Sequence, residues 1–165
     1  MRALVVFESI AGNTRIVAEA VANALAAHGR VELVEVAHAP TTIPADLTLL
    51  VVGASTQTFT LGRGKDARDA AGQYVQSGRT LAEWLDMLHV PLGYAAAAFD
   101  TRVKKAFLPG SAAKTTEKRL SNVGFKIVPP AEGFIIDGNG GSLIPGELER
   151  ATLWGSRIGA AFAHR

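Results

Sequence analysis

The sequence predicts an α/β domain, a doubly wound five-stranded parallel sheet packed as a three-layer sandwich. Three observations predict it. Short apolar or alternating runs recur at residues 3–7, 31–36, 47–52, 94–99 and 125–128. Stretches with apolar residues at helical spacing lie between them. Strands that alternate with helices pair in parallel through right-handed crossovers.

The elements follow in order. The first run, 3–7, is continuously apolar, as a strand covered on both faces must be. Residues 14–28 carry Val17, Ala20, Val21, Ala24 and Leu25 on one helical face, and Gly29 is a suitable stop. Residues 31–36 alternate apolar with polar, the pattern of an edge strand. Residues 47–52 form a second continuous apolar run, expected at the sheet centre. The polar stretch 53–78 is rich in Gly, Thr and Arg and holds one helical candidate, 66–75. Residues 80–88 place Leu81, Trp84, Leu85 and Leu88 on one helical face. Residues 94–99 are mostly alanine, which suits close packing. A helix over 111–122 is capped by Ser111 and stopped by Gly124. The strand at 125–128 is broken by Pro129 and Pro130, and 134–137 is a further extended piece. The last helix runs over 147–163. No repeat or linker divides the chain, so residues 1–165 are expected to form one domain, with 138–141 a loop inside it.

Composition excludes several functions. Hydrophobic residues make up 48% and charged residues 19%, which supports a packed core and excludes a disordered chain. There is no cysteine, so disulfides, thiol chemistry, Cys-ligated zinc and iron–sulfur clusters are excluded. The apolar run at the N-terminus is too short for a signal peptide, and no run reaches the ~20 residues of a membrane span. A cytoplasmic protein with no membrane partner is therefore expected. The net charge is +2. Its basic clusters, Arg102 with Lys104 and Lys105, and Lys114 with Lys118 and Arg119, lack the interleaved aromatics of a nucleic-acid platform, so no nucleic-acid partner is expected. The four histidines lack metal-ligand spacing. Asp100, at a strand end, reads more readily as a cap for the next turn than as a catalytic acid.

The loop after the first strand carries the chemistry. Glu8, Ser9, Ile10, Ala11, Gly12, Asn13 and Thr14 lead directly into the first helix. A helix start presents unpaired N–H groups and the positive end of the dipole, a ready anion site. Gly12 allows close backbone approach, and Ser9, Asn13 and Thr14 add side-chain donors. Plain N-capping by Asn or Thr competes equally on spacing alone. Position favours the anion site, because ligands collect where strand order reverses in a doubly wound sheet. The Walker signature is absent. A phosphoacceptor receiver needs paired acids after the first strand, and Glu8 stands alone.

The stretch Glu8-Ser9-Ile10-Ala11-Gly12-Asn13-Thr14-Arg15 resembles the FMN-phosphate loop of flavodoxins, Thr/Ser-x-Thr/Ser-Gly-Asn-Thr. Ser9, Gly12, Asn13 and Thr14 match it, and Ala11 departs where a hydroxyl is common. The runs 110–114 and 146–151 are similar to small bacterial flavodoxin-domain proteins. The resemblance implies strand order 2-1-3-4-5 and FMN as cofactor. It implies that Ser9, Ile10, Ala11, Gly12, Asn13 and Thr14 hold the phosphate. A second loop, with Ser55, Thr56, Gln57, Thr58 and Phe59, and a third, starting at Asp100, Thr101 and Arg102 and running towards Phe107, would flank the flavin ring. Typical flavodoxins supply a Trp and a Tyr there. This sequence offers Phe59 and Phe107, while Trp84 and Trp154 sit on helix faces expected in the core.

The resemblance further implies electron transfer to a redox partner protein or a small-molecule acceptor, by a monomer or a homodimer, with no catalytic side chain. Flavodoxins that carry electrons are acidic around the flavin, whereas Arg63, Lys65, Arg68, Arg102, Lys104 and Lys105 lie in or beside these loops. Two other readings stay open. One is a flavin-dependent reductase of quinones or similar small molecules. The other is a flavodoxin-fold domain that has lost FMN and binds another phosphate ligand or a protein.

Overall fold

The structure, a computed structural model, describes residues 1–9, 12–56, 79–90, 93–104, 111–138 and 141–163. The helical candidate at 66–75 lies outside them. Strand β1 (Arg2–Phe7) leads into α1 (Asn13–Ala26), and β2 (Arg30–Glu35) ends in one 3₁₀ turn. Then come β3 (Leu49–Ser55), α2 (Leu81–Met87), β4 (Ala95–Val103), α3 (Ala112–Val123), β5 (Lys126–Ile127), β6 (Glu132–Ile136) and α4 (Glu147–Phe162). No helix among the described residues is long and apolar enough to cross a membrane.

The sheet runs β2-β1-β3-β4-β5, all parallel, with β6 also paired to β4. This is the expected order. The sixth strand is a refinement of it. β5 pairs only Ala95 and Ala96, and β6 pairs the far end of β4, from Phe99 to Val103. A proline has no ladder N–H, so Pro129 and Pro130 split one strand position into two short pieces.

Side-chain alternation along the strands builds two cores. Val5, Phe7, Leu49, Val51, Ala97 and Phe99 face α1 and α4. Leu4, Val6, Leu50, Val52, Ala96 and Ala98 face α2 and α3. The continuous apolar runs are thus strands buried on both faces. Both tryptophans are core residues, as expected from their helix faces. Trp84 is fully buried and its indole donates to the Pro40 carbonyl at 2.9 Å. Trp154 stands edge-on to Phe99 and Phe134, at 6.0 and 6.1 Å between centroids.

Two departures from expectation position the site. β3 runs on to Ser55, and β4 runs through Asp100, Thr101 and Arg102 to Val103. Those three residues are therefore strand, not the loop expected there. The extension is favoured by register, because Ala54 and Ser55 still find Asp100 and Thr101 opposite them. In the middle of the sheet Gly53 lies between Phe7 and Phe99. A Cβ there would sit 2.2 Å from the Phe99 ring, so this glycine is required for room.

The outer side of β6 is closed by side chains. Glu117 accepts from the Ala131 N–H, Glu147 accepts from the Ile135 N–H at 2.7 Å, and Arg150 donates to the Gly133 carbonyl. Arg150 also pairs with Glu132 and Glu147 and lies 4.5 Å from the centre of the Phe134 ring. Its hydrogen bonds hold the Glu147 carboxyl below the ordinary carboxylate value.

Candidate cofactor-binding site

All strands are parallel, so Glu8, Thr56 and Val103 emerge at one edge of the sheet. The start of α1 lies at that edge too, between strands whose order reverses about β1. Helix α1 begins on Gly12, with φ +89°, a conformation that glycine adopts without strain. No side chain caps it, and its first turn contains no acid. By contrast, α2 has a complete capping box from Thr80 and Glu83, and α3 is capped by Ser111. Capping by Asn13 or Thr14 is therefore not what this chain builds.

The two side chains turn elsewhere. The Asn13 amide donates to the Gly141 carbonyl at 2.8 Å, and the Thr14 hydroxyl bonds that of Thr101 at 2.7 Å. The Ser9 hydroxyl accepts from the Gly12 N–H at 3.1 Å. Ser9, Gly12, Asn13 and Thr14 thus brace the loop through the chain's own bonds. The backbone N–H groups that open α1 are left as the donors a ligand would meet. Among the described residues, a Cβ placed on Gly12 would find nothing within 4 Å. This end of the site fits a phosphate. Ile10 and Ala11 lie outside the described residues.

The Thr14–Thr101 bond also joins the start of α1 to the end of β4, 87 positions apart. Beside it Asp100 is fully buried. Its Oδ2 accepts from the Ser111 hydroxyl at 2.7 Å and from the Ala113 N–H at 3.0 Å. Asp100 thus holds the start of α3 from inside β4, a long-range structural role and not the cap of the next turn expected of it. Its Oδ1 lies 3.6 Å from Nε of Arg102, and the Arg102 guanidinium covers the backbone of Gly133. From the second loop, Ser55 ends β3 and Thr56 is buried beside it. Gln57, Thr58 and Phe59 lie outside the described residues, as does Phe107.

Three linking groups carried no sequence signal of their role: Glu8, Leu81 and Gly141. Their partners are far apart in the chain. Buried Glu8 accepts from the Leu81 N–H at 2.6 Å and so ties the end of β1 to the start of α2. Burial pushes its carboxyl above the ordinary value of 4.5, against the Leu81 hydrogen bond, and Glu83 and Glu35 push it further up. The folded chain therefore keeps a proton that the unfolded chain releases. Stability contributed by the neutral carboxyl is complete below pH 4.5 and is lost as pH climbs through the raised value. Gln keeps an oxygen for the Leu81 N–H but cannot ionise. Glu8→Gln is expected to raise the melting temperature more at pH 8 than at pH 4. An equal change at both would mean that Glu8 ionisation does not matter to the fold.

A parallel sheet in this order, with helices on both faces, defines the class: the fold is flavodoxin-like. Solved structures share it over nearly the whole chain. Flavodoxin 1 from Bacillus cereus is 18% identical, with a TM-score of 0.68 over 100% of this chain and 99% of that one. A flavodoxin from the domain Archaea is 18% identical, with a TM-score of 0.66 over 99% of this chain and 100% of that one. The flavodiiron protein of Giardia intestinalis is 16% identical, with a TM-score of 0.65 over 99% of this chain and 37% of that one. No family model matches the sequence, and comparison with curated proteins gives no match.

Proposed function

We propose that this protein binds FMN at the sheet edge described above and serves electron transfer. The observation that carries the reading is the open start of α1. It is a glycine-led helix N-terminus without a side-chain cap, with none of the described residues within 4 Å of a Cβ on Gly12, at the reversal of strand order. The flavodoxin-like fold and the Ser9, Gly12, Asn13, Thr14 pattern support it.

FMN, when bound, supplies the one- and two-electron chemistry. The chain's own residues bind and orient it. The N–H groups at the start of α1 hold the phosphate, with Ser9, Asn13 and Thr14 fixing the loop, and Ile10 and Ala11 complete the turn. Ser55, Thr56, Gln57, Thr58 and Phe59 on one side, and Arg102 at the end of β4 on the other, frame the ring, while buried Asp100 and Thr101 hold that segment through Ser111, Ala113 and Thr14. The Thr14–Thr101 bond then sets how far the phosphate loop stands from the third of these segments. Electrons pass to a redox protein or a small acceptor.

The test is a fluorescence titration with FMN and, in parallel, with riboflavin, which lacks the phosphate. FMN fluorescence is expected to be quenched on binding, with affinity at least about tenfold above that of riboflavin, a difference of about 1.4 kcal/mol. Gly12→Val, which forces a β-branched residue to positive φ, is expected to remove most of that preference. Equal affinities for the two flavins would remove the phosphate loop from the account. No binding of either would end the flavin reading and leave the fold intact.

A further inference from the structure

We propose that the end of β4 and the outer face of α3 form a docking surface for an acidic electron-carrier protein. Lys104 is exposed immediately past the end of β4. Lys114, in the first turn of α3, and Lys118, one turn later, are also exposed. The bonds from Asp100 to Ser111 and Ala113 bring the start of α3 to the end of β4. Lys104 and Lys114 therefore lie at the edge of the sheet that holds the candidate cofactor site, and Lys118 follows one turn further along α3.

Helix stability does not explain these lysines. A cation in the first turn opposes the helix dipole. Like charges four residues apart on one face repel, at a cost of roughly 0.2–0.5 kcal/mol. Among the described residues none of the three has an ion pair, although Arg119 on the same helix reaches Asp86 at 3.7 Å. Glu117, the acid on the same helix, is turned towards the Ala131 N–H rather than paired with either lysine. Three exposed cations with no ion pair among the described residues are complementary to an anionic partner. Such a surface steers encounter and fixes orientation, with an effect that salt weakens.

The partner's redox character rests on the FMN reading, while its acidity rests on the lysines alone. The test separates the two. Amide NMR spectra of the flavin-free chain are recorded during titration with a plant-type ferredoxin, an acidic carrier, and separately with cytochrome c, a basic one. Ferredoxin is expected to shift the amides at Lys104, Lys114 and Lys118 at low salt, and the shifts should fade near 0.2 M ionic strength, where screening is strong. Cytochrome c should leave them in place. A Lys114→Glu, Lys118→Glu double variant, shown folded by its own spectrum, is expected to bind ferredoxin about tenfold more weakly. Ferredoxin shifts confined to other surfaces, equal response to both carriers, or unchanged binding by the variant would overturn the proposal. If FMN fails to bind while ferredoxin still docks here, the flavin reading falls and the surface stands. If FMN binds and ferredoxin does not, the surface falls alone.

Discussion

Phe99→Ala is expected to lower the unfolding free energy by about 4 kcal/mol, in the range for buried aromatic truncations. Phe99 is fully buried, and its ring stands edge-on to Phe134 and Trp154, each at 6.0 Å. Removing it leaves a void between the sheet and α4, and the edge-on contacts of both neighbours are lost as well. Urea unfolding followed by tryptophan fluorescence measures the loss, because Trp154 reports on that cluster. A loss below about 1.5 kcal/mol would mean the neighbours collapse into the space. A second substitution tests the same contact from the other side. Gly53→Ala drives a Cβ to 2.2 Å from the Phe99 ring and is expected to cost about 1–3 kcal/mol by overpacking. In a Phe99→Leu background that cost should largely vanish, since the clashing ring edge is gone. Residues in contact are coupled, so additive losses would show that the strain lies elsewhere.

Asp100→Ala is expected to cost about 3 kcal/mol. The carboxylate is fully buried and accepts from the Ser111 hydroxyl and the Ala113 N–H. Truncation strands both donors in the interior, and unmade buried hydrogen bonds cost about 1–3 kcal/mol each. Asp100→Asn keeps an oxygen that can accept from Ala113 and should lose clearly less. Thermal unfolding of the two variants side by side decides it. Equal losses would assign the cost to charge rather than to hydrogen bonding. On the proposed FMN reading, the same variants should weaken FMN binding more than they weaken the fold, because Thr101, next along the strand, is bonded to Thr14 at the start of α1.

The sequence made the architecture legible wherever burial on both faces left an unbroken apolar run. Residues 3–7 and 47–52 read as buried strands, and both fall largely within β1 and β3 at the middle of the sheet. The caps were legible for the same local reason: Ser111 and Gly124 act on residues a few positions away. The strand ends were not. Whether Asp100, Thr101 and Arg102 continue β4 depends on which residues stand opposite them, and register is a tertiary fact. The site shows the same division. The Ser9-to-Thr14 loop was readable because strand, glycine and helix start are contiguous. What its side chains bond was not, since Gly141 is 128 positions from Asn13 and Thr101 is 87 from Thr14. Two hydroxyls that pair across the molecule look, in sequence, like two hydroxyls offered to a ligand.

The carboxylates and guanidinium along β6 have an effect beyond local stability. Each occupies a backbone group that an added strand would need, at Ala131, Gly133 and Ile135. In polymer terms that stretch of the sheet is end-capped by covalently attached stoppers. The opposite boundary, β2, carries the charges of Arg30, Glu32 and Glu35. Growth by strand addition, whether by a second copy or by a misfolded neighbour, is therefore chemically blocked along β6 and opposed by charge alone along the described face of β2.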